Sequence, residues 1–100
     1  MSKNYIAEVA SAIQAQVPSS LHPDRDADLL FLLYAVLALS RGVETTGEDV
    51  HDAWAAWMTA SDQEHEALVP FARLDDRVKQ EDEPYVHAIR TVAASRVTSA

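Results

Sequence analysis

The residues of this chain that could do chemistry are few, and most fall between positions 48 and 82. His51 and Asp52 stand in the first turn of a predicted helix, and Trp54 lies about one turn from His51 on the same side. A histidine near a helix N-terminus, with Glu48 and Asp52 close by, can hold an anion-bearing or base-bearing ligand, with the indole as a stacking platform. The same residues also suit a structural arrangement in which His51 hydrogen-bonds a neighbouring loop and Trp54 fills the core. Glu64, His65 and Glu66 with the distant His51 form the one tempting metal set, but no two histidines share the i, i+4 spacing with which a helix face grips zinc. No metal or other cofactor is expected. There is no Gly-rich phosphate loop and no G-x-S-x-G elbow, so the chain is expected to bind and not to catalyse.

The elements that must position these residues are helical. Residues 29–39, LLFLLYAVLAL, carry no charge and have Tyr34 as their only polar handle. A helix that is apolar all round must be covered by its own fold or by a second copy. These eleven residues fall short of the ~20 needed to cross a hydrocarbon core. Asp24, Asp26 and Asp28 precede them and Arg41 closes them, so the segment is predicted to be a buried central helix.

Around it, Tyr5, Ile6, Val9, Ile13 and Val17 recur at helical spacing and predict an amphipathic helix over the first 17 residues, capped by Asn4 or Ser2 and stopped by Pro18. Residues 18–26 read as an irregular connector, the most mobile stretch, with Asp24 or Asp26 capping the central helix and Gly42 ending it. Thr46 and Asp49 form a capping-box pattern for a third helix to Thr59 or Ala60, with Val50, Trp54, Trp57 and Met58 on one face. Pro70 forbids helix through the middle of residues 64–74, so Leu68, Val69, Phe71 and Leu74 are expected to form an extended clip packed on the core. Asp75 caps a short helix to Gln80 with Val78 inward. Asp82 or Glu83 starts a last helix with Pro84 in its first turn. Its apolar face is Tyr85, Ile89 and Val92, flanked by Val86 and Ala93, and residues 95–100 are expected to fray. The fold class predicted is all-α: one domain over residues 1–100, a small bundle of four to five helices around a hydrophobic central helix, with a Leu-Val-Pro-Phe clip between the third and fourth.

Composition narrows the partners. With 48% apolar residues, 2 Gly and 4 Pro, this is a folded, helix-rich chain. The net charge is -8 and the eight Lys and Arg are scattered, so nucleic acid and anionic membrane surfaces are not expected partners. The absence of cysteine excludes disulfides and fits a reducing compartment. The N-terminus has no continuous apolar run after Lys3, and a cytoplasmic location is expected.

Three ordered elements in the second half share a pattern. Val50, His51, Asp52, Trp54 and Ala55 form the first; His65, Leu68, Val69, Pro70, Phe71 and Leu74 the second; Lys79 and Asp82 the third. Together, over residues 48–90, they resemble the RyR repeat domain, a small helical unit of ryanodine receptors also found in bacterial and phage proteins. Met58, Thr59, Ala60 and Ser61 depart from the family, which commonly has an arginine and a Gly-Trp-x-x-Gly stretch there. The first half looks similar to small proteins of actinobacteria and their phages. The resemblance implies a non-enzymatic recognition module, with bacterial and phage members suspected of sensing nucleotide-derived ligands in defence and counter-defence. It implies a groove for a nucleotide-like molecule or a peptide lined by His51, Asp52, Trp54, His65, Pro70, Phe71 and Lys79, with Lys79 supplying positive charge. The alternative is a protein-binding module: a central helix this apolar leaves a patch that invites a homodimer or a host protein.

Overall fold

The computed structural model describes residues 4–98. Among them are five α-helices and no strand: α1 (Tyr5–Gln16), α2 (Ala27–Ser40), α3 (Gly47–Ala60), the short α4 (Asp76–Gln80) and α5 (Glu83–Thr98). The all-α class holds. Helix α2 packs on α1, α3 and α5, and α5 also meets α1, α3 and the turn at residues 42–44. The apolar run is therefore the axle of the fold. Phe31, Tyr34 and Ala35 of α2 are buried together with Val9 and Ile13 of α1, Val50 and Trp57 of α3, and Ala88 and Ile89 of α5.

Local rules set most helix ends. The Asn4 carboxamide accepts the Ala7 N–H at 2.8 Å and caps α1, while Ser2, the other candidate, lies outside the described residues. In α3 the expected capping box is complete: the Thr46 hydroxyl accepts the Asp49 N–H, and the Asp49 carboxylate accepts the Thr46 N–H. That carboxylate also pairs with Arg41 Nε at 3.0 Å. Helix α3 stops in a Schellman turn, with Asp62 left-handed at φ 55° and the Gln63 N–H returning to the Met58 carbonyl at 3.0 Å.

Four expectations change. Tyr5, placed on the inner face of α1, is exposed, and Ala10 is buried instead. Asp26 occupies the N-cap position of α2, but its backbone is left-handed at φ 53° and its side chain makes no capping bond. Its carbonyl instead accepts the Leu30 N–H at 3.2 Å and the Trp57 indole N–H at 3.1 Å. The connector before α2, expected to be the most mobile stretch, contains a one-turn 3-10 helix over Ser19–Leu21 and is tied down at both ends. The Tyr85 hydroxyl donates to the Leu21 carbonyl at 2.6 Å, and His22 Nε2 lies 2.9 Å from the Val17 carbonyl. The clip is only partly a clip: Leu74 is buried and Leu68 packs against the core, but Val69 and Pro70 are exposed and Phe71 starts another 3-10 turn, Phe71–Arg73. Pro70 itself stays extended at φ -54°, ψ 143° and caps that turn, its carbonyl accepting the Arg73 N–H at 2.9 Å. Helix α5 runs to Thr98, and residues 99 and 100 of the expected frayed tail lie outside the described residues.

Gly42 follows α2 at φ +60°, and a Cβ there would have nothing within 4 Å. The cost of Gly42→Ala is therefore the left-handed backbone alone. The variant is expected to lose about 1 kcal/mol in urea unfolding with an unchanged slope.

Candidate functional site

Helices α2 and α3 diverge where α5 begins, and the connector 61–75 crosses the gap. The crossing is pinned by one side chain. His51 is 3% exposed, and its Nε2 donates to the Val69 carbonyl at 2.7 Å, which fixes the tautomer if the ring is neutral. Beneath this bond the Phe71 ring lies 6.0 Å from the imidazole, close against the start of α3. A Cβ on Gly47 would meet the Phe71 Cζ at 3.1 Å, so the glycine admits the ring.

The result is a cleft of about 920 Å³, whose walls come from α2, α3, α4, the connector and the first turn of α5. Its aromatic lining is Tyr34, Trp54, Trp57 and Tyr85. The Tyr34 and Tyr85 rings sit 5.5 Å apart, and the Trp54 indole is faced by His51 at 5.6 Å and by the edge of His65 at 5.4 Å. Four acids line it, Glu66, Asp75, Glu81 and Asp82, against Arg73 as its single Lys or Arg. Among the described residues no three His, Asp or Glu side chains gather where they could hold a metal ion. No helix among them is long and apolar enough to cross a membrane.

Of the seven residues implied by sequence, the structure brings His51, Trp54 and His65 into this lining. Phe71 and Lys79 stand behind it, the ammonium 5.3 Å from the ring centroid, so Lys79 is held on the outer wall by a cation–π contact. Asp52 and Pro70 are exposed and lie outside the lining. Asp52 fails for a simple reason: it is the residue after a buried one on a helix, and so points roughly 100° away from His51. Sequence reasoning overlooked Tyr34, Trp57 and Tyr85 as site residues because all three read as core. The lone polar group of the central helix was the signal for Tyr34.

Asp82 is the electrostatic centre of the cleft. Its backbone carbonyl accepts the Tyr85 and Val86 N–H groups and starts α5, but among the described residues no hydrogen bond or ion pair reaches its carboxylate. Burial lifts this acid from the ordinary 3.8 to about 6; the His51 ring opposes the rise, and Glu81 and Glu83 add to it. Burial, then Tyr85 and Asp82, push the Tyr34 phenol well above its ordinary range, and Tyr85 is raised by burial and by Asp82. The phenol groups thus stay protonated while the carboxyl is the group that titrates.

This fold and cleft define a small helical bundle with an aromatic, acid-rimmed recess and, among the described residues, no cluster of side chains that could hold a metal ion. Residues 4–94 match the domain of unknown function DUF7701, and the chain belongs to that family. No curated protein and no solved structure matches it.

The sign of the Asp82 effect is fixed by linkage. The folded state holds this proton more tightly than the unfolded chain, so its contribution to stability falls as pH rises from about 4 to about 6, and the penalty is complete above that window. Asp82→Asn is expected to raise stability at pH 7.5 and to converge with the parent at pH 4, read by urea unfolding at both pH values; because the carboxyl is half exposed, the gain is small.

Proposed function

We propose that this protein is a non-enzymatic recognition module that takes a small molecule, or a peptide side chain, in the cleft between α3 and the start of α5. The observation that carries this reading is the convergence of the half-buried Trp54 and Tyr85 rings, backed by the buried Tyr34 and Trp57, with an unpartnered carboxylate on one recess of about 920 Å³. Ligand sites are commonly concave, mostly apolar and supplied with a few placed polar groups. A half-buried acid kept without a partner costs stability, and such costs concentrate at functional sites. The resemblance of residues 48–90 to the RyR repeat supports the same role and puts nucleotide-derived molecules, including those of phage and bacterial defence, into the first set of probes. His51 acts here as the bolt that holds the cleft wall. A ligand that binds the folded state alone raises the melting temperature by mass action. Screening nucleotides, cyclic dinucleotides, nucleosides, amines and short peptides by thermal shift is expected to give a ligand whose effect is lost in Trp54→Ala. A flat response across all these classes would overturn the proposal.

A second reading rests on a different face. Leu29, Val36 and Leu39 of α2 are 43%, 49% and 40% exposed, and Val43 beyond the helix end is 53% exposed. Within α2, Leu29, the half-buried Leu32, Val36 and Leu39 step by three, four and three residues, the spacing of a coiled-coil seam, and Val43 extends the apolar surface past the helix end. A homodimer through paired α2 helices would cover them, and a host protein offering a matching helix is the other occupant. Sedimentation velocity is expected to show a dimer in the parent protein and a monomer in Val36→Glu. A parent protein that stays monomeric at high concentration removes the homodimer.

A further inference from the structure

The recess has a charge preference that follows from its own residues. Around a recess lined by Trp54 and Tyr85, Glu81 and Asp82 stand at the start of α5 and Asp75 before α4, while Arg73 is the only lining Lys or Arg. Lys79, the nearest further cation, is occupied on the Phe71 ring outside the lining. The Tyr85 hydroxyl is committed to the Leu21 carbonyl and His51 Nε2 to the Val69 carbonyl, so neither of these donors is free to meet an incoming anion. The Asp82 carboxylate, by contrast, is an acceptor with no hydrogen bond among the described residues. Aromatic faces carry negative potential and attract cations, more strongly where water is excluded. The protein already uses this contact once, on the far side of the same wall, between Lys79 and Phe71.

We infer that the cleft selects an organic cation, an ammonium or guanidinium group on a short apolar stem, with Asp82 as its counter-ion and the Trp54 and Tyr85 rings as its walls. This rests on the small-molecule reading and deepens it by fixing the sign of the ligand's charge. A phosphate-rich ligand is disfavoured: four lining carboxylates and a net charge of -8 repel it, and the structure offers Arg73 alone among Lys and Arg in the lining to hold it. The same head group occurs on free amines and on the lysine or arginine side chains of peptides.

The test is a titration followed by the fluorescence of Trp54 and Trp57, at pH 7.5 and constant ionic strength. Benzamidine, choline and agmatine are the free cations; acetylated tripeptides centred on arginine, lysine or trimethyl-lysine are the peptide arm; AMP and inorganic phosphate are the anions. At least one cation is expected to bind saturably and AMP not to bind. Asp82→Asn, which is expected to fold at least as well as the parent, should weaken the cation by about tenfold or more, the loss typical of a hydrogen bond to a charged group. Affinity should also fall as pH drops from 7.5 to 5, because the carboxyl takes up its proton near pH 6. Tighter binding by the peptide arm assigns the source to a protein partner, and tighter binding by the free amines assigns it to a metabolite. Cation binding that Asp82→Asn leaves unchanged would overturn the assignment. If AMP or an uncharged heterocycle binds instead and Trp54→Ala abolishes it, the cation inference falls while the recognition reading stands. If nothing in any arm binds at millimolar concentration, both fall.

Discussion

An uncharged run of eleven residues inside a chain of 100 is the constraint from which the rest follows. Such a helix can leave water only if other helices surround it, and three do: α1, α3 and α5 each pack on α2. Three neighbours cannot enclose a cylinder completely. The side they share is filled by Phe31, Tyr34 and Ala35, and the opposite side keeps Leu29, Val36 and Leu39 in water. The core and the exposed seam are thus two consequences of one sequence feature, and which part of the rod is covered depends on how the neighbouring helices are spaced around it.

Holding those neighbours in place is mainly the work of side chains that reach connectors. Connector carbonyls need donors once they are drawn against the core, and helices supply them. Trp57 donates to Asp26, Tyr85 to Leu21, Arg90 to Thr45, and His51 to Val69. Each bond joins residues far apart in sequence and fixes one loop over one helix. Hydrogen bonds of this kind add modestly to stability when made and cost more when one partner is removed, so they act as locators more than as glue. The segment before α2 illustrates the point: its composition is that of a loose loop, yet it is bound at Leu21 and Asp26 by two aromatic residues from α5 and α3.

The cleft is what these locators leave open. His51 draws the connector across α3 without filling the space between that connector and α5, and the tryptophans and tyrosines that finish the core present their remaining surface to the recess. A cavity walled by residues that also stabilise the fold is economical for a small domain, because a chain of this size buries too little surface to spare a separate site. Asp82 is the exception: it sits in the recess against its own electrostatic interest, raised by burial and by neighbouring acids. That conflict marks it more clearly than any pattern in the sequence does.

The sequence by itself determined the helices, most of their caps and the identity of the central rod, because periodicity, a capping box at Thr46 and Asp49, and a glycine after α2 act within a few residues of one another. Helix spacing also placed His51 and Trp54 on one side of α3, and the resemblance to the RyR repeat implied His65 beside them. The sequence could not say that Tyr5 faces outward, that Asp26 turns left-handed to offer its carbonyl to Trp57, or that Asp52 and Pro70 stand clear of the recess while Tyr34, Tyr85 and Asp82 enter it. Those outcomes depend on rotations of whole helices about their axes and on contacts between residues dozens of positions apart. Only the packed tertiary structure decided them, because a helix's local sequence sets which residues share a face but not which neighbour that face meets.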